Sequence, residues 1–356
     1  MVRKGVGILI LGGLILLGCR GDEEGGGVES PLQNPVVVEQ ITNYLCTPCK
    51  GAAEIIDSLD EAFPDNVVVV RYHADEPYAG DPIYNPYTDT VLNFYGLNTA
   101  DGVPITVIGG DWSEHGYDDT KREDYAERWF NVMRDKASQP PKYRPSVSSL
   151  MGDSLIVADV IVEPSKASSD VVRTMLTEYE APLPPSAVKP YSNYAVRAGT
   201  NSSHAEFVVD SSWNESNLYI TVVINDPSGA VVGSYQGKVG TYTLENLSND
   251  GDTVVPLNEY SMVYLRMENR TDQDLTLTFR VNGIPRDWNN TICWGVCLSD
   301  TTMITNTLEA GASTPDHGMY FSVYPTTADT AYITVEVRYS DDERIFRRLN
   351  VKVVAQ

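Results

Sequence analysis

Two cysteines with two residues between them, Cys46-Thr47-Pro48-Cys49, stand where the apolar run VVVEQIT (36–42) gives way to the amphipathic stretch KGAAEIIDSLDEAF (50–63). A pair so placed suits thiol–disulfide exchange, half of a metal site, or a structural staple. A thiol at a helix start faces unpaired backbone N–H groups and the positive end of the helix dipole. Both favour the thiolate, the form that attacks a disulfide. In exchange chemistry Cys46 is then the attacking thiolate, and Cys49 is near enough to resolve the mixed disulfide. Pro48 has no N–H to leave unbonded in that first turn and stiffens it. Lys50 adds a positive charge nearby, or is simply solvated.

The first residues bear on the compartment. MVRKGVGILILGGLILLGC starts with Arg3 and Lys4 and runs apolar to Leu16-Leu17-Gly18-Cys19. It is short and glycine-rich for a membrane span and reads as an export signal over 1–18. The Leu-Leu-Gly-Cys ending resembles the lipobox of bacterial lipoproteins, which implies that Cys19 carries lipid and becomes the first mature residue. Residues 19–34 read as an acidic, glycine-rich tether. Within it Asp22-Glu23-Glu24 resembles the surface-export signal of Bacteroidetes-type lipoproteins; a solvated charge run is the other reading.

With Cys19 set aside, four of the five cysteines form two close pairs, as expected of an oxidising exported location. Cys293 and Cys297 read as a local disulfide beside Trp288 and Trp294. Zinc would need four ligands together. The two cysteine pairs lie in different segments, and His73, His115, His204 and His317 show no paired spacing, so no metal and no cofactor are expected. Asn249-Asp250-Gly251-Asp252 reads as a turn rather than a calcium loop. A net charge of −23 argues against nucleic acid.

The elements that must position Cys46 and Cys49 alternate in type over 35–142. VVVEQIT is a strand, and Ala52, Ala53, Ile55, Ile56, Leu59 and Phe63 lie at helical spacing. VVVVRYH (67–73) is a buried strand. TDTVLNFYG (88–96) predicts a short helix ended by Gly96, and ITVIGG (105–110) another strand. Thr120 to Glu123 reads as a capping box ahead of Tyr125, Trp129 and Val132. From 146 onward the pattern is strand alternation: Leu218, Ile220, Val222 and Ile224; Leu275, Leu277, Phe279 and Val281; Ile333, Val335, Val337 and Tyr339. Such spacing predicts β-sandwiches, divided near Gly240 into 143–240 and 241–356.

C-x-x-C after a strand, with Val103-Pro104-Ile105 opening a later one, looks like a thioredoxin fold. The resemblance implies that Pro104 is cis, lies against the disulfide and shapes a groove where substrate backbone pairs. A trans proline opening an edge strand is the alternative. It also makes Glu39 the candidate for a buried acid that assists proton transfer, the alternative being an edge-exposed glutamate. Two departures are Leu45, where the family usually has tryptophan, and one extra residue between Glu39 and Cys46. His73 reads as a hydrogen-bonded core histidine or a proton shuttle for Cys49; Tyr72, Tyr78, Tyr84 and Tyr87 could wall a substrate groove.

More narrowly, VVEQIT, Tyr72-His73, Val103-Pro104, YAVRAG (194–199) and WNESNLYITVVIND (213–226) resemble the Omp-twenty-eight group of outer-membrane lipoproteins of Bacteroidetes-type bacteria. That implies a multidomain α/β plus all-β chain: a thioredoxin-like domain over 35–142, then two immunoglobulin-like β-sandwich domains. The expected activity is thiol–disulfide exchange on protein thiols or disulfides, with the chain held to the outer membrane or cell surface by lipid. The alternative is a non-enzymatic surface protein whose Cys46–Cys49 bridge is structural and whose β-domains bind a partner.

Overall fold

The computed structural model describes residues 35–64, 66–248 and 253–356. The expected signal, Cys19 and tether, and the turn at 249–252, lie outside the described residues. In chain order the first region contains β1 (Val36–Thr42), α1 (Thr47–Ala62), β2 (Val67–His73), α2 (Tyr87–Tyr95), β3 (Ile105–Ile108), β4 (Trp112–His115) and α3 (Arg122–Ala137). The middle region follows with β5 (Arg144–Met151), β6 (Leu155–Glu163), β7 (Val171–Glu178), β8 (Ala181–Pro182), β9 (Tyr191–Ser192), β10 (Ala195–Thr200), β11 (His204–Val208), β12 (Leu218–Asn225) and β13 (Val231–Lys238). The last region is all strand: β14 (Tyr242–Asn246), β15 (Thr253–Val255), β16 (Ser261–Asn269), β17 (Leu275–Asn282), β18 (Asn289–Trp294), β19 (Val296–Ser299), β20 (Met303–Leu308), β21 (Met319–Tyr324), β22 (Thr330–Tyr339) and β23 (Phe346–Ala355).

One eight-stranded sheet, in the order β13-β12-β7-β10-β2-β1-β3-β4, runs through the first two regions. β1 and β2 are parallel, Val36 opposite Val67 through Thr42 opposite His73, and β3 returns antiparallel to β1. The seam is the parallel bridge of Ala195 to Arg71. Side chains alternate across the sheet. Val36, Val38, Val67 and Val69 meet α1 and α3 through Ile55, Ile56, Leu59, Trp129 and Met133. On the other face Val37, Ile41, Val70 and Tyr72 pack with Val91 and Leu92 of α2 and with Met175 and Val223 of the middle region.

This corrects the expected fold class, a separate thioredoxin-like α/β domain followed by two sandwiches. The chain is mostly β, with 23 strands against three α-helices among the described residues. Residues 35–142 supply only half of a sheet whose other half comes from 171–238. The middle region is not a free sandwich either, because the strands that the small sheet β5, β6 and β11 packs on, β7 and β12, belong to the shared eight-stranded sheet. The physical reason is visible in β7 and β12, which are buried along almost their whole length. Strands covered on both faces belong inside a sheet, and their polar residues are satisfied internally, as in the Thr177–Thr221 hydroxyl pair at 3.0 Å.

Residues 242–355 do form an immunoglobulin-like β-sandwich. Its sheets, β14-β16-β21-β18-β19 and β15-β23-β22-β17-β20, enclose Leu277, Phe279, Ile292, Phe321, Ile333 and Val335. Cys293 and Cys297 are opposed residues of β18 and β19 and are joined as a disulfide, beside buried Trp288 and Trp294. Gly96 ends α2 at φ 64°, as the sequence predicts. The capping box at Thr120 does not form. Asp118 caps a 3-10 turn through the Thr120 N–H at 3.0 Å, and α3 begins at Arg122 without a side-chain cap. No described helix is long and apolar enough to cross a membrane.

Candidate functional site

The site is built around the first turn of α1. Asn43 shapes the approach: its side-chain oxygen accepts from the Leu45 N–H at 2.9 Å, and its backbone carbonyl accepts from the Cys46 N–H at 3.2 Å. Asn43 is pinned in turn by donating to the carbonyls of Ala74 and Tyr78, each at 2.8 Å. Cys46 is the N-cap of α1, with its Sγ accepting the Cys49 N–H at 3.1 Å, and Pro48 sits in the first turn. No acidic residue occupies that turn, so nothing there offsets the positive end of the helix. Cys46 and Cys49 are joined as a disulfide with Cα atoms 5.2 Å apart.

Pro104 is brought to this pair. The Val103–Pro104 bond is cis, and the Val103 carbonyl oxygen lies 3.4 Å from Cys46 Sγ. Glu39 is not. The alternation of β1 puts Val37, Glu39 and Ile41 on the face away from α1, so its expected role beside the cysteines is corrected. There Glu39 meets Arg173 of β7 in a two-pronged ion pair at 2.7 and 3.1 Å, and Tyr72 donates to it at 2.8 Å. Arg173 also donates to Asn225 at 2.9 Å, and the whole group is buried. Burial opposes ionisation of Glu39, but the charge and hydrogen bonds of Arg173, with those of Tyr95 and Tyr72, outweigh it and hold its pKa low. Glu39 ties the two halves of the sheet together.

Gln40, one residue on, points to the helix side. It donates to the Cys49 carbonyl at 3.3 Å and accepts from Arg71 at 3.1 Å. Arg71, 2% exposed, also reaches Asp57 of α1 at 2.6 Å and the Asn193 carbonyl at 2.7 Å. Burial again opposes ionisation of Asp57, and Arg71 and Lys189 overcome it and lower its pKa. The sequence carried a signal for Gln40 and Arg71, which are polar residues inside runs that are otherwise apolar.

His73 is buried between two side chains. Its Nδ1 lies 2.8 Å from Asp81 Oδ2 and its Nε2 lies 2.9 Å from Ser192 Oγ. Burial works against the Asp81 charge, but the hydrogen bond and charge of His73 and the N–H groups of Ile83 and Tyr44 keep its pKa depressed. An ionised Asp81 only accepts, so Nδ1 carries the proton and donates to it, leaving Nε2 to hydrogen-bond the Ser192 hydroxyl. Asp81 and Ser192 escaped the sequence reading because they are 8 and 119 positions from His73. The four loop tyrosines do not wall one groove: Tyr72 and Tyr87 are core residues and Tyr78 is 44% exposed.

Residues 181–192 cross over this side of the site. A cavity of about 20 Å³ remains beneath them, lined by Gln40, Cys49, His73, Val188, Tyr191 and Ser192 among others. Cys46 and Cys49 are 1% and 2% exposed. As it stands, the site holds a disulfide at a helix start and a peptide carbonyl against one sulfur, with the second sulfur roofed.

No protein-family model and no curated protein matches the chain. Among solved structures it is similar to protein AGR_C_4864 from Agrobacterium tumefaciens, with 18% identity, 56% of this chain and 92% of that one covered, and a TM-score of 0.37. It is also similar to a PapD-like domain of human CEP192, at 12% identity over 32% and 83% of the two chains, TM-score 0.20. A third likeness is to the CARDB domain of PF1109 from Pyrococcus furiosus, at 17% identity over 32% and 89%, TM-score 0.22. Likenesses this distant carry no argument about what the chain does.

Proposed function

We propose that the chain exchanges thiols and disulfides through Cys46 and Cys49. The observation that carries the reading is Cys46 Sγ serving as the cap of α1: it accepts the Cys49 N–H at 3.1 Å. Once a dithiol donor has reduced the bridge, itself becoming a disulfide, the same N–H and the helix end stabilise a Cys46 thiolate. That thiolate attacks a sulfur of a substrate disulfide, the S–S bond breaks, and one substrate thiolate leaves. Cys49, losing its proton, then attacks Cys46 Sγ, releasing the second substrate thiolate and restoring the Cys46–Cys49 bond. The Val103 carbonyl beside Cys46 marks where substrate backbone would lie, with Pro104 fixing that edge.

The address belongs to the same reading. The lipobox-like ending at Cys19, two paired sets of cysteines and the acidic tether support a lipid-anchored protein of the outer membrane or cell surface. The resemblance to the Omp-twenty-eight group supports the same location.

Trapping tests the chemistry. With Cys49→Ser, reduced chain offered a disulfide-bonded peptide should accumulate a mixed disulfide on Cys46, and with Cys46→Ser it should not. Equal trapping by both variants, or by neither, contradicts the assignment. The burial of both cysteines favours a second reading, in which the bridge is a staple and the β-domains bind a partner; absence of trapping is its expected result.

A further inference from the structure

We propose that residues 181–192 are a displaceable cover over Cys49, and that Ser192 latches it shut through His73. The inference deepens the exchange reading by naming how that site is regulated. Its starting point is a conflict: the resting bridge must be attacked at one sulfur before Cys46 is freed as a thiolate, yet both are buried, Cys49 beneath residues 181–192.

The cover is built to be separable. β8 and β9 pair only with each other, through Ala181–Ser192 and Pro182–Tyr191, and belong to none of the larger sheets. Pro182, Pro184, Pro185 and Pro190 lack N–H groups, so little of this segment can enter a ladder. Across the site it is held by the Val188 N–H to the Tyr44 carbonyl at 3.0 Å, Lys189 to Asp57 at 3.0 Å, and Ser192 to His73 at 2.9 Å. Asn193, just past the segment, stays rooted by Arg71, so the hinge sits there. Beyond these bonds, among the described residues only Ala181 and Leu183 of the segment join an apolar cluster of the body, with Ile83 and Ala195, so opening is a local event cheaper than unfolding.

Asp81, His73 and Ser192 also have the order of side chains found in serine hydrolases. The space decides against that use. A cavity of about 20 Å³ has room for roughly one water molecule, not an acyl group. Ser192 therefore serves as the latch that closes the cover, and the Asp81–His73 pair as the fixed partner that holds it.

The test is the rate at which a phosphine reductant opens Cys46–Cys49 in the full mature chain lacking Cys19, read by alkylation and mass spectrometry. Cys293–Cys297 in the same molecule is the internal reference. Ser192→Ala, and separately Val188→Pro, should each speed Cys46–Cys49 reduction about fivefold, the equivalent of about 1 kcal/mol, and leave the reference rate alone. The rate should also change little with urea below the unfolding transition, the signature of local opening. In the parent chain, hydrogen exchange should be faster at Val188 and Leu183 than at β1 and β2. Unchanged rates in both variants would overturn the cover, as would acceleration with the steep urea dependence of global unfolding. So would Val188 exchanging as slowly as β1, a measurement that needs no variant. These readouts concern access alone; failure of mixed-disulfide trapping would defeat the exchange reading while leaving them interpretable.

Discussion

At the scale of single residues, the neighbours Glu39 and Gln40 have unrelated tasks because a strand sends them to opposite faces. Glu39 with Arg173 is a buried ion pair, and removing one partner of such a pair costs about 3–5 kcal/mol. Glu39→Gln should therefore lower unfolding stability by about that amount in urea titration at neutral pH. The pH dependence has a definite sign. The folded-state pKa of Glu39 lies below its ordinary value of 4.5, so its contribution is complete above that value and is lost as pH falls through the depressed one. Parent and variant should converge in acid. A variant of parental stability with a slowed exchange rate would restore Glu39 to the redox site and contradict this assignment.

At the scale of elements, the turn from β1 into α1 was legible because it is local. VVVEQIT, the cysteine spacing and the run of Ala52, Ile55, Ile56 and Leu59 each set a period over a few residues, and β1 and α1 have those periods. Which face of β1 receives the helix is not local. The choice between Glu39 and Gln40 as neighbour of Cys49 depended on it, and only the packing of α1 and α3 on Val36 and Val38 decides it. At Thr120, the side chain expected to cap α3 is engaged instead by Asp118, which accepts both its hydroxyl and its N–H in a 3-10 turn. The cover over Cys49 was invisible for a third reason. APLPPSAVKPYS has neither helical nor strand periodicity, and its meaning lies in contacts to Tyr44, Asp57 and His73, more than a hundred positions away.

At the scale of the whole molecule, the division at residue 142 failed because a strand edge looks the same in sequence whether it ends a sheet or continues one. β2 continues into β10 and β7; across that seam Arg71 donates to the Asn193 carbonyl and Arg173 pairs with Glu39. Residues 35–142 expressed alone would leave Glu39 without Arg173 and expose the β2 edge. That fragment should give no cooperative thermal transition, whereas 35–240 should unfold in one. Cooperative unfolding of 35–142 alone would show that the first region is a domain after all.

The central claim is that Cys46 and Cys49 are a working pair, and its most direct measure is their reduction potential, with Cys19 removed and Cys293 and Cys297 replaced by serine. Thiolate stabilisation at the head of α1 predicts a value between roughly −270 and −120 mV, the range of exchange catalysts. A value below about −300 mV is that of a structural bridge and would contradict the account.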